Sequence, residues 1–124
     1  MALALTITSV TARNGVVSVS GRIVASSNYA TGGDTADFTK ATQDAKFSGI
    51  LALIASSQPP STFDVWTEGG NVTRSYAAVI GTAQNNCKVK FGGSTYASEL
   101  AAGAYPSDVT GDTIGFYAEF ASLN

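Results

Sequence analysis

The sequence predicts an all-β protein: a single antiparallel domain, either a β-sandwich or a jelly-roll-like barrel, with a long loop after its first hairpin. Three observations lead there. Apolar residues recur at every second position in short runs, the mark of half-buried strands. Clusters of Gly, Asn, Asp and Pro separate those runs. No segment keeps helical spacing long enough for an extended helix. At 124 residues the whole chain, 1–124, reads as one domain, and area scaling lets a chain of this size bury roughly two-thirds of its unfolded surface. A core without metal or disulfide is feasible.

The elements follow in order. Leu3, Leu5 and Ile7 alternate with Ala4, Thr6 and Thr8, and Val17, Val19 and Ile23 continue the period of two after Asn14-Gly15, a strong hairpin signal. Tyr29 to Phe47 then interrupts the pattern with glycine, threonine and aspartate, with aromatics at both ends. Ile50 to Ala55 is an apolar run read as a doubly buried strand, although Phe47, Ile50, Leu51 and Ile54 also fit helical spacing. Pro59-Pro60 ends it, since neither proline donates to a ladder. STFDVWTE starts a new alternating run, and VTRSYAAVIG follows the Glu68-Gly69-Gly70-Asn71 turn. In CKVKF, Cys87, Val89 and Phe91 share one face while Lys88 and Lys90 take the other. YASELAAG suggests a short helix, AYPSDVTGD a turn-rich connection, and TIGFYAEF a last strand with Ile114, Phe116 and Phe120 inward. There is no internal repeat.

Composition narrows the function. Only 13% of residues are charged and the net charge is -2, so surface polarity rests on Ser, Thr, Asn and Gly, as suits a protein packed in an assembly as much as one free in solution. The seven Lys and Arg are scattered, which leaves nucleic acid without its electrostatic footprint. Histidine is absent and Cys87 is the only cysteine, which removes Ser/His and Cys/His nucleophile pairs and any multi-cysteine metal site. The first residues, MALALTITSV, have no positive n-region, and no apolar run reaches membrane-spanning length. The expectation is therefore a non-enzymatic protein without cofactor or membrane partner, used without passing the secretory route.

Other constellations read as structural. Thr31-Gly32-Gly33-Asp34-Thr35 lacks the lysine of a phosphate loop and places a carboxylate where phosphate would sit. Asp34, Asp37 and Asp44, and separately Asp108 and Asp112, lack EF-hand spacing and read as turn caps. Cys87 reads as a buried, inert thiol, and Asn71-Val72-Thr73 as a turn despite matching the glycosylation triplet. Trp66 is different. If Phe63 and Val65 face the core, Trp66 lies on the opposite face between Asp64 and Glu68, where it is either a rim residue under a loop or an anchor for a protein or carbohydrate.

The order NYATGGDTADF, KVKF, SELAAGAYPSDVTGDTIGFYAEF resembles small proteins of tailed bacteriophages that act as capsid decoration, or cement, proteins. The likeness runs from Asn28 to Phe120. It implies a β-rich protein on the capsid exterior, made in the host cytoplasm, that binds the major capsid protein as a homo-trimer and reinforces contacts between capsid subunits. Tyr29 to Phe38 matches the recurring part, and Gly103, Tyr105 and Asp112 to Phe116 its C-terminal part. On this view Tyr29 to Phe47 is an interaction arm, with Tyr29, Phe38 and Phe47 as anchors and Gly32 and Gly33 permitting close backbone approach. The opposing reading has the same aromatics buried in the protein's own core. Two alternatives to the decoration role are a carbohydrate- or receptor-binding sandwich on the virion, with Trp66, Tyr76 and Tyr117 stacking on sugars, and a tail or head-tail connector component.

Overall fold

A computed structural model describes residues 3–13, 15–38, 41–43, 58–69, 74–93 and 98–121. They form β1 (Leu3–Arg13), β2 (Val16–Ala25), β3 (Asn28–Tyr29), β4 (Asp34–Ala36), β5 (Thr42–Gln43), β6 (Thr62–Thr67), β7 (Tyr76–Val79), β8 (Cys87–Phe91), β9 (Gly103–Ala104), α1 (Ser107–Thr110) and β10 (Ile114–Ala121). The larger sheet runs β5-β1-β2-β10-β6, antiparallel except for the short parallel pairing of β5 with β1. A second sheet runs β4-β8-β7, and β3 pairs with β9. The architecture is a sandwich. The barrel alternative does not hold among the described residues, because β5 and β6 end the larger sheet and do not pair with each other.

Alternation builds the core. Leu3, Leu5 and Ile7, Val17, Val19 and Ile23, and Ile114, Phe116, Ala118 and Phe120 all point inward from the larger sheet. Cys87, Val89 and Phe91 meet them from the second sheet, while Lys88 and Lys90 face out. Phe38 joins the layers: its ring stands edge-on to Phe63 and Phe120, each at 5.1 Å, and to Phe116 at 5.9 Å. Burying such a side chain contributes about 1.5–3 kcal/mol, and well-placed aromatic pairs add to that.

The first hairpin forms where the sequence places it, with Arg13 paired to Val16 and Gly15 at a φ of 82°. A bulge between Ile7 and Ser9 shifts its register. Opposite that bulge, Gly21 lies so close to β1 that a Cβ would stand 1.9 Å from the carbonyl oxygen of Thr6. Only glycine fits there.

Two expectations are corrected. The described part of YASELAAG is not helical: Leu100 N–H donates to Phe91 O (2.9 Å) and Gly93 N–H to Ser98 O (2.8 Å), so pairing with the end of β8 takes the backbone that a helix would need. The helix is α1, inside the stretch read as turns. Pro106 precedes it with φ at -63°, Asp108 occupies its first turn, and buried Val109 ties it to the core. The strand expected at Ile50 to Ala55 lies outside the described residues, as does the Asn71-Val72-Thr73 triplet.

Candidate interaction surface

The first half of the expected arm is fastened to the protein itself. Tyr29 and Phe38 are only 2% and 1% exposed, which overturns their role as surface anchors and matches the core reading. The cause is visible in the residues: Asp34 and Ala36 point inward from β4, and Phe38 follows at the same spacing. Tyr29 packs edge-on against Phe91 and Tyr105, and its hydroxyl donates to Glu99 Oε2 at 2.5 Å. The same carboxylate accepts the N–H of exposed Gly32 at 2.7 Å. Gly33 is buried and donates to Ala30 O at 3.0 Å. Phe47 lies outside the described residues.

Carboxylates clasp this turn. Asp34 accepts the N–H of Ala30 at 3.1 Å and the hydroxyl of Tyr105. Burial, and then the hydrogen-bonded carboxylates, push both Tyr29 and Tyr105 well above ordinary tyrosine values. The bonds from Tyr29 and Gly32 hold Glu99 below the ordinary carboxylate value. Elsewhere Asp108 pairs with Arg74 at 2.6 Å, and Asp112 accepts from Tyr76 (2.5 Å) and Thr67 (2.9 Å). Asp44 lies outside the described residues, among which no group of three or more acidic or thiol side chains could hold a metal. Cys87 is buried, and that burial pushes its thiol up, away from the reactive thiolate.

Among the described contact candidates, Trp66 is the large side chain that reaches solvent, at 40% exposure. It faces outward with Asp64 while Phe63 is buried, as alternation requires. Directly across the ladder from it is Gly115, and beyond that Arg22. A Cβ on Gly115 would stand 2.6 Å from Trp66 Nε1 and 2.5 Å from Glu68 Oε1. The missing side chain therefore lets the indole settle against the sheet, with Glu68 beside it. Sequence reading passed over Gly115, although a glycine inside a strand is itself a sign of close approach.

The outer side of the second sheet carries Lys88 and Lys90, opposite Thr35, Ala77 and Val79. Val79 and Ile80 are 40% and 43% exposed. A shallow groove of about 230 Å³ lies between Ser75, Lys90, Phe91, Ser98 and Glu99, smaller than ordinary small-molecule sites. The three rings that would mark a sugar platform are not gathered. Trp66 and Tyr117 share the outer face of the larger sheet, but Tyr76 sits in β7, half-buried against Phe91. Among the described residues no helix is long and apolar enough to cross a membrane. No protein-family model, curated protein or solved structure matches the chain.

Proposed function

We propose that the chain is a non-enzymatic decoration protein that binds the exterior of a tailed-bacteriophage capsid as a homo-trimer and reinforces contacts between major capsid subunits. One observation carries most weight. Among the described residues, the exposed large apolar side chains are Val24 and Trp66 on the outer side of the larger sheet, Val79 on that of the second sheet and Ile80 just past β7, and they are not gathered in one place. Such a distribution suits contacts with several protein neighbours, whereas sugar recognition would favour rings gathered on one face. The sequence likeness between Asn28 and Phe120 points the same way.

The mechanism is avidity. A trimer that bridges several capsid subunits needs only a few kcal/mol per contact, because its second and third attachments are effectively intramolecular. Internal pressure from packaged DNA then has to break several contacts together. The test mixes the purified protein with genome-free capsids and sediments them. Stoichiometric recovery in the pellet is expected; protein left in the supernatant refutes the reading, and glycan binding becomes the next assay. Six or twelve copies per ring, seen by native mass spectrometry, would instead indicate a connector.

A further inference from the structure

The two outer faces of the sandwich differ in charge. On the larger sheet, Asp64 and Glu68 flank the exposed indole of Trp66, and the nearest cation in register is Arg22, one strand beyond Gly115. On the second sheet the outward residues of β8 are Lys88 and Lys90, with exposed Val79 across the ladder from Lys88 and exposed Ile80 following it in the chain. The carboxylate bordering that patch, Glu99, is engaged by Tyr29 and Gly32. Because β6 packs against β7, both patches border the same side of the sandwich. The Trp66 patch, with Asp64 and Glu68 against Arg22, is net acidic, and the patch on the second sheet, with Lys88 and Lys90 against Glu99, is net basic.

We infer that a second copy of this chain docks here, the Trp66 patch of one copy meeting the Lys88 and Lys90 patch of the next. Trp66 supplies a broad aromatic anchor already seated against Gly115. Val79 supplies apolar surface to cover it, and lysine stems can lie along an indole while their ammonium groups reach Asp64 and Glu68. The contact joins two different surfaces, so it is heterologous and can close a ring where the rotation between copies permits. It gives the homo-trimer of the proposed function a specific interface, but it does not depend on capsid attachment.

Charge reversal tests it. Native mass spectrometry and sedimentation velocity are run on the wild type, on Lys88→Glu/Lys90→Glu and on Asp64→Lys/Glu68→Lys, with circular dichroism to confirm that each variant is folded. The wild type is expected to self-associate, more weakly at high salt, and each variant to lose at least about tenfold in affinity. An equimolar mixture of the two variants is expected to regain association, because the unaltered acidic patch of one meets the unaltered basic patch of the other. A wild type that stays monomeric overturns the inference. So do variants that associate as the wild type does, or a mixture that remains dissociated. Capsid co-sedimentation is read separately, so its failure refutes the decoration reading and leaves this contact standing.

Discussion

Replacing Phe38 by alanine separates the two readings of the segment after the first hairpin. Phe38 is 1% exposed and stands edge-on to Phe63, Phe116 and Phe120. Removing a buried phenylalanine ring generally costs about 3–5 kcal/mol through lost transfer energy and the cavity left behind. Three ring contacts, each worth roughly 0.5–1.5 kcal/mol beyond burial, argue for the upper half of that range. A domain of this length has roughly 6–19 kcal/mol in total, so the variant should fold with a large part of its stability gone. Urea unfolding followed by far-ultraviolet circular dichroism reads this directly. With a slope of about 2 kcal/mol per molar urea, the midpoint should fall by about 2 M at unchanged slope. A midpoint shifted by less than the equivalent of about 0.5 kcal/mol, a typical surface-substitution effect, would refute the core placement and restore the interaction arm.

Other predictions test the backbone approaches and the turn. Gly21→Ala should destabilise by at least about 1–3 kcal/mol in the same assay, because its Cβ would collide with backbone, at the carbonyl oxygen of Thr6, and not with a side chain that can move aside. The atoms nearest a Cβ at Gly115 belong to the side chains of Trp66 and Glu68, so with Gly115→Ala the fold should hold while the indole is displaced. Since Trp66 is the only tryptophan, a shifted emission maximum with an unchanged unfolding midpoint is the expected signature. Glu99 has a folded-state value held below the ordinary 4.5 by Tyr29 and the Gly32 amide, so its contribution is present above that value and is lost as pH falls through the folded value. The stability difference between wild type and Glu99→Gln should therefore shrink on acidification from about pH 6 to pH 3; a difference independent of pH would show that the clasp does not act through the carboxylate.

Strand identity was legible wherever one side of a strand meets the core and the other meets water. Leu3 to Ile7, Cys87 to Phe91 and Ile114 to Phe120 keep their period of two, and the hairpin at Asn14-Gly15 carries its own turn chemistry. The outward setting of Trp66 followed from the same rule. What stayed hidden depends on long-range pairing. Asp34, Ala36 and Phe38 are inward from a stretch whose glycines and threonines resemble a loop, and they become core only because β4 finds β8, more than fifty residues away. An aspartate at an inward position looks like a turn signal until Tyr105 supplies its partner. The helix at Ser107–Thr110 is too short for any periodicity to show.

The fastening of that segment bears on function. An arm that orders only on binding gives up part of its contact energy to conformational entropy. Here the stretch from Tyr29 to Phe38 is held by two carboxylates and a cluster of edge-on rings before any partner arrives. Contact through the buried side chains of Tyr29 or Phe38 would first require breaking the core that stabilises the sandwich. Sheet faces meet no such obstacle: Trp66 rests against Gly115, and Lys88 and Lys90 project from a paired strand. The backbone under such patches is already ordered by strand pairing, so the conformational freedom that docking costs is that of side chains only, and modest apolar areas can suffice when several contacts act together. Among the described residues, the physical case for attachment therefore rests on the outer faces of the two sheets and not on the aromatic side chains of Tyr29 and Phe38.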